Sequence, residues 1–256
     1  YTGQATPAYG IFEKTDRRQT TEDTYYSDEW TRRKSSARTF NLTLTFEHED
    51  KVQMLVDPKS TYVKAMSMAM KRAYDRLIIE ACFADVTEVD VDGTESQVVF
   101  PTGRTVGDGT SPISFDAVTE INEVFMTSEV MLDVPKVAII GPTQVRKLMQ
   151  LTEQTSQDYV SAQALQKLST YGIVPNWLGY TWIVSNWLEG DVPGTDIKCI
   201  FMSKEAVGLV VNMEMLVRIT ENPSMQYMWQ CFNQFTSHAA RIQDEHIVMG
   251  HFADTL

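Results

Sequence analysis

The residues able to do chemistry are few and scattered. His246 and His251 stand five apart in an apolar, β-branched stretch that reads as a strand. Side chains alternate faces along a strand, so this spacing sends the two imidazoles to opposite sides and does not build a shared metal site. His48 beside Glu49 and Asp50 has metal-binding composition, but it stands in a polar junction of the kind that stays solvated. Cys82, Cys199 and Cys231 are odd in number and widely spaced, which fits buried thiols better than a zinc site or a disulfide framework. Gly103, Gly107 and Gly109 have neither P-loop nor dinucleotide-fold spacing, and no serine sits in a nucleophile elbow. The expectation is no catalytic residue, no cofactor and no metal. The chemical alternative is an α+β enzyme whose site is made of scattered carboxylates such as Asp116 and Glu120.

Composition limits the partners. The chain has 256 residues, 43% of them hydrophobic, enough to bury a sizeable core as one large domain or two smaller ones. A formal charge of -12 argues against wrapping nucleic acid as its main task, because phosphate binding rests on clustered Lys and Arg. No apolar run reaches the roughly 18 residues that span a bilayer, and residues 1–10 lack the pattern of a signal peptide. The first residue is not Met, which fits a removed segment and a chosen boundary equally well.

The element around which the rest is arranged is the stretch Asp57 to Phe83. Asp57 is placed to cap free backbone amides and Pro58 suits the first helical position. Val63, Met66, Met70, Ala73, Leu77 and Ala81 recur at spacings of three and four and form the expected core face of one helix about 39 Å long. Before it lies an alternating strand with Phe40, Leu42, Leu44 and Phe46 on one face and Asn41, Thr43, Thr45 and Glu47 on the other.

Two blocks, the run EDKVQMLVDPKSTYVKAMSMAMKRAYDRLIIEA and the later PKVAIIGPTQVRKLMQLTEQTSQDYVSAQALQKLSTYGIVPNWLGYTWIVSN with KCIFMSKEAVGLVV, resemble the major capsid proteins of tailed bacteriophages with the Hong Kong 97-type fold. The likeness lies in pattern and order, and it touches most of residues 38–250. It implies an α+β capsid fold in which residues 1–16 are an N-terminal arm and 17–48 an extended loop. Residues 49–113 and 205–256 would form a peripheral domain around a spine helix at 57–83, and 114–204 an axial domain. In the second block a strand at Val137 to Ile140 breaks at Gly141 and Pro142 into a helix with Val145, Leu148 and Met149 inward. A second helix follows around Ala162 to Leu168, then a strand from Tyr180 to Ser185. Ser203 to Leu209 matches the family's short Lys/Ala helix, and Ser114 is placed to cap a helix carrying Phe115, Val118, Ile121, Val124 and Phe125 on one face.

The extended loop is expected as a hairpin whose arms of about 12 residues stand about 40 Å from their base, too long to be stable alone. The resemblance implies that it lies over a neighbouring subunit, whereas residue pattern alone fits a hairpin within its own domain equally well. Arg32, Arg33, Lys34, Arg38, Phe40, Leu42, Leu44 and Phe46 are therefore the expected intersubunit contacts. Residues 84–133 hold eleven acidic residues and a single base, Arg104, and are a candidate electrostatic partner on another copy.

Further implications of the resemblance are a shell of hexamers and pentamers enclosing double-stranded DNA without sequence-specific binding, in a virion made in the cytoplasm of a bacterial host. Portal and scaffold proteins are implied as partners, with decoration proteins as further candidates, and no membrane is involved. An encapsulin-like compartment is the close alternative, since it uses the same fold to enclose enzymes.

Overall fold

A computed structural model of the chain describes residues 2–4, 30–46, 58–90, 92–128, 130, 134–150, 170 and 173–254. Within them the long helix α1 runs from Pro58 to Phe83 over 26 residues. Its buried positions are Met66, Met70, Leu77 and Ala81, with Val63 and Ala73 half-buried, so the expected core face is the one the protein uses. Asp57, the expected cap, lies outside the described residues.

What α1 packs on explains its length. Strand β3 (Arg38–Phe46) joins β11 (Val207–Asn222) and β12 (Met228–Arg241) in an antiparallel sheet of order β11-β12-β3. Cys231, Phe235 and Ser237 of β12 are fully buried, and Met66 of α1 packs with Cys231 and Phe46 while Tyr74 stacks on Phe235 at 4.2 Å. Strands of 16 and 14 residues need a helix of similar reach to cover one face. The opposite face of β3 carries Thr39, Asn41, Thr43 and Thr45, all exposed, as the sequence alternation predicts. β11 has no neighbour on its outer side among the described residues, and its register against β12 shifts twice, between Val211 and Met213 and again between Met213 and Leu216.

A second sheet of six strands has the order β6-β13-β10-β7-β9-β8, built from β6 (Thr105–Val106), β7 (Lys136–Ile140), β8 (Ile173–Trp177), β9 (Tyr180–Val184), β10 (Asp196–Ser203) and β13 (Ile247–Ala253). Helices α2 (Phe115–Thr127) and α3 (Pro142–Gln150) supply Val118, Ile121, Phe125, Val145 and Leu148 to its core. Ser114 caps α2 as expected, its hydroxyl accepting from the Ala117 amide at 3.1 Å. A third sheet, of order β1-β2-β4-β5, joins β1 (Thr2–Gln4), β2 (Trp30–Lys34), β4 (Val86–Val89) and β5 (Glu95–Val98).

Four expectations change. Strands β2 and β3 do not pair with each other as a hairpin: β2 pairs with β1 and β4, and β3 pairs with β12 over nine residues. The apolar face of β3 draws it onto the sheet under α1, and the rest of the expected loop, 17–29 and 47–48, lies outside the described residues. The boundaries expected at 113/114 and 204/205 do not follow the sheets, because β13 runs antiparallel to β10 over seven residues and β6 joins the same sheet. Ser203 to Leu209 is no helix; the Ala206 amide bonds Ser203 O to close a turn, and Val207 already pairs with Arg241. Met149 is 38% exposed and faces away from the core. The second helix expected around Ala162 to Leu168 lies outside the described residues.

Candidate assembly interface

The basic stretch between β2 and β3 meets carboxylates of its own chain. Arg33 donates from both terminal nitrogens to the two oxygens of Asp244 at 2.9 and 2.8 Å, and also to Arg241 O at 3.1 Å. Lys34 pairs with Glu95 at 2.6 Å, and Arg38 with Glu80 at 3.0 Å while its guanidinium lies 5.4 Å from the Phe40 ring centroid. Arg32 is exposed and forms no ion pair among the described residues. On β3, Phe40 stacks on Phe235 at 4.9 Å, Phe46 is 3% exposed and stacks on Tyr62, and Leu42 and Leu44 pack against the same small core. The burial that the sequence reading looked for in a neighbour thus comes, for 38–46, from β12 and α1 of the same chain.

Sequence reasoning missed the hub of this arrangement. Arg241, 0% exposed, donates from Nε to Asp244 and from Nη2 to Val98 O and Val99 O, both at 3.3 Å, with its guanidinium 5.3 Å from the Phe100 ring centroid. Burial works against ionisation of Asp244, but the hydrogen bond from Arg33 and the charges of Arg241 and Arg33 outweigh it and hold the carboxyl below its ordinary range. The available signal was the spacing of Arg241 and Asp244 just past a strand; nothing local names Arg33 as their third member.

The histidines keep apart. His246 shares a 2.6 Å hydrogen bond with Ser203 at one end of β10, and burial lowers its pKa. His251 Nε2 lies 2.6 Å from Asp196 at the other end. Asp196 also accepts the Asp191 and Val192 amides at 2.7 Å, and the bond from His251 leads the causes that bring its pKa down to about 2. Asp191, Asp196 and His251 bring three ligand atoms within 4.8 Å of one another. Lys198 pairs with Asp191, so the trio is engaged in closing the loop between Glu189 and Asp196. Gly107, at φ 91°, lies so near His251 that a Cβ there would stand 2.2 Å from its carbonyl oxygen, which explains a glycine at that position without any phosphate.

The remaining chemical candidates stay separate. Burial pushes Cys82 and Cys199 up to about 12, which keeps them as thiols, and Cys231 is also buried. Asp116 and Glu120 stand on the exposed face of α2 with Glu123, where no described cleft draws the first two together. An open groove of about 670 Å³ between α1 and the strands β7 and β9 is lined by Ile78, Ile79, Val137, Ile139 and Ile183 and has Asp75 as its one ionisable residue.

A long helix on an antiparallel sheet, joined to a six-stranded mixed sheet, is an arrangement shared with solved capsids. A structure from Mycobacterium phage Che8 matches with a TM-score of 0.67 and 16% identity over 98% of this chain and 82% of that one. The acidic stable capsid structure of Helicobacter pylori bacteriophage KHP30 matches with a TM-score of 0.67 and 11% identity over 99% and 84%. The holo-SrpI encapsulin complex from Synechococcus elongatus PCC 7942 matches with a TM-score of 0.54 and 10% identity over 86% and 74%. No curated protein sequence matches the chain. These likenesses define the class: an α+β protein with the Hong Kong 97-type capsid fold. The sequence also matches the phage capsid protein family over residues 8–254, and the chain belongs to that family. It is a structural protein of a phage capsid.

Proposed function

We propose that many copies of this chain close into the icosahedral head of a tailed phage, arranged as hexamers and pentamers around double-stranded DNA. The observation that carries the reading is the family match over residues 8–254 on a chain whose candidate chemical groups are dispersed or engaged in holding loops. The subunit contributes surface and shape, and no reaction. Its charge of -12 suits an enclosing wall, since a packed polyanion gains little by adhering to it. Portal and scaffold proteins are the partners proposed to give such a head its DNA entry and its size, and decoration proteins are candidates for its outer face. The site of synthesis is the cytoplasm of the bacterial host. Intersubunit roles remain for Arg32 and for the parts of the expected loop outside the described residues.

Expression of the chain followed by sedimentation and negative-stain microscopy tests this. The expected result is a megadalton particle of uniform diameter; a monomer or small oligomer at every concentration overturns it. The encapsulin-like reading rests on the SrpI match and its lower TM-score. Particles isolated from infected cells carrying duplex DNA support the head, and particles filled with an enzyme support the compartment.

A further inference from the structure

The exposed side of α1 differs in charge from the rest of the molecule. The helix holds five bases, Lys59, Lys64, Lys71, Arg72 and Arg76, against Asp75 and Glu80; the rest of the chain holds 17 bases against 32 acids. Lys64, Met68, Lys71, Arg72 and Asp75 all face solvent and fall within an arc of about 100° around the helix. Among the described residues Lys64, Lys71 and Arg72 have no ion-pair partner, while Arg76 is held by Glu80. Met68, at the centre of the arc, is 62% exposed, and Ala65 and Ala69 beside it are exposed and small enough to admit another backbone. A stripe of bases alone would suit phosphate. Bases around an exposed Met, with Asp75 among them, suit an acidic protein surface better.

Such a surface exists on the same chain. Helix α2 carries no base, and Asp116, Glu120 and Glu123 line its exposed side at spacings of four and three. Arg104 lines a pocket with Glu120 and Glu123 but donates to Glu245 O at 2.8 Å. Lys64 and Lys71 are seven residues apart, as are Asp116 and Glu123, a separation of about 10.5 Å in either helix. Antiparallel docking sets Lys64 against Glu123, Lys71 and Arg72 beside Asp116, and Met68 over Thr119. The basic cluster at residues 32–38 is mostly engaged within its own chain, and among the described residues it makes no ion pair with the acidic face of α2.

We propose that the exposed face of α1 in one copy docks on the acidic face of α2 in the next. The two faces differ, so the contact is heterologous and repeats head to tail, the kind of contact that closes rings. It rests on the capsid reading and adds to it which two surfaces meet.

The test uses three full-length variants: one with Lys64→Glu, Lys71→Glu and Arg72→Glu, one with Asp116→Lys, Glu120→Lys and Glu123→Lys, and one with all six. Particle yield is read by sedimentation and microscopy, and thermal melting of the unassembled chain controls for folding. Each set alone is expected to raise the concentration needed for assembly by about tenfold, and the six together to restore it to within about threefold of wild type. If a reversed set weakens the melt, Lys64→Gln, Lys71→Gln and Arg72→Gln are used instead, with a rise of about threefold expected. Either set assembling at the wild-type threshold overturns the contact, as does a six-fold variant no better than its parents. Intact particles that have lost only nucleic acid overturn it too, by placing this face of α1 against the genome. A wild-type chain that never forms particles strikes the capsid reading itself, whereas wild-type particles with indifferent variants strike the contact alone.

Discussion

Arg33 of β2 holds Asp244 through two parallel hydrogen bonds of 2.9 and 2.8 Å, and the same carboxylate receives Nε of the fully buried Arg241. One carboxylate thereby bridges two guanidinium groups and ties the four-stranded sheet to the end of β12. Asp244→Ala leaves Arg241 buried and uncompensated, at a cost of about 3 to 5 kcal/mol in folding stability. Arg33→Ala leaves the inner pair in place and costs less, about 1 to 3 kcal/mol. Denaturant melts of the unassembled chain that rank these two the other way would show that Arg241 draws its compensation elsewhere.

Acid should loosen the subunit through two carboxylates. Asp244 and Asp196 both have folded-state values depressed below the unfolded one, so each contributes stability that is fully present above about pH 4. The contribution of Asp196 is lost as pH falls from there through about 2. Chemical melts across this range should show stability falling with acid, and Asp244→Asn should flatten the fall. A wild-type curve with no slope below pH 4 would remove both groups from the account.

Phe46 is the buried end of β3, so Phe46→Ala is expected to cost about 3 to 5 kcal/mol in the isolated subunit. Replacing 38–46 by a Gly/Ser linker should unfold the sheet beneath α1, because β12 loses a nine-residue partner. A deletion variant that melts like wild type but forms no particles would restore the loop to a neighbour's surface.

Ala73 lies in the interior of α1, sixteen residues into the helix. Ala73→Pro removes a backbone donor and crowds the preceding turn, costing about 3 kcal/mol or more. Circular dichroism and yield of soluble chain report it. Undiminished helicity and an unchanged melt would mean that α1 tolerates a break there.

Much of the fold could be read locally. The three-and-four spacing of Met66, Met70 and Leu77 gave α1 its buried face, and Ser114 marked the start of α2 through a hydrogen bond only three residues long. The alternation of Phe40, Leu42, Leu44 and Phe46 told which face of β3 is apolar. It did not tell what covers that face, because the partner of Phe40 is Phe235 in β12, far along the chain. Alternation is a property of one strand, whereas pairing belongs to two. The same limit hid the place of β13 beside β10 and the meeting of Arg33 with Asp244. At Ser203 to Leu209 the family pattern pointed to a helix, but Val207, Val210 and Val211 favour extended backbone, and pairing with β12 settles the matter. The basic stretch at 32–38 was legible as charge and misleading as an interface, since sequence does not show whether an arginine has found a carboxylate at home.

The two register shifts in β11 bear on how a subunit waits for its neighbours. A sixteen-residue strand whose outer side is unpaired among the described residues is a template for indefinite stacking into fibres. The irregular stretch between Val211 and Leu216 divides that side into runs of five and seven residues, Val207–Val211 and Leu216–Asn222, that no single straight strand can follow end to end. A copy approaching β11 therefore finds no continuous zipper, and growth is left to contacts that curve and close.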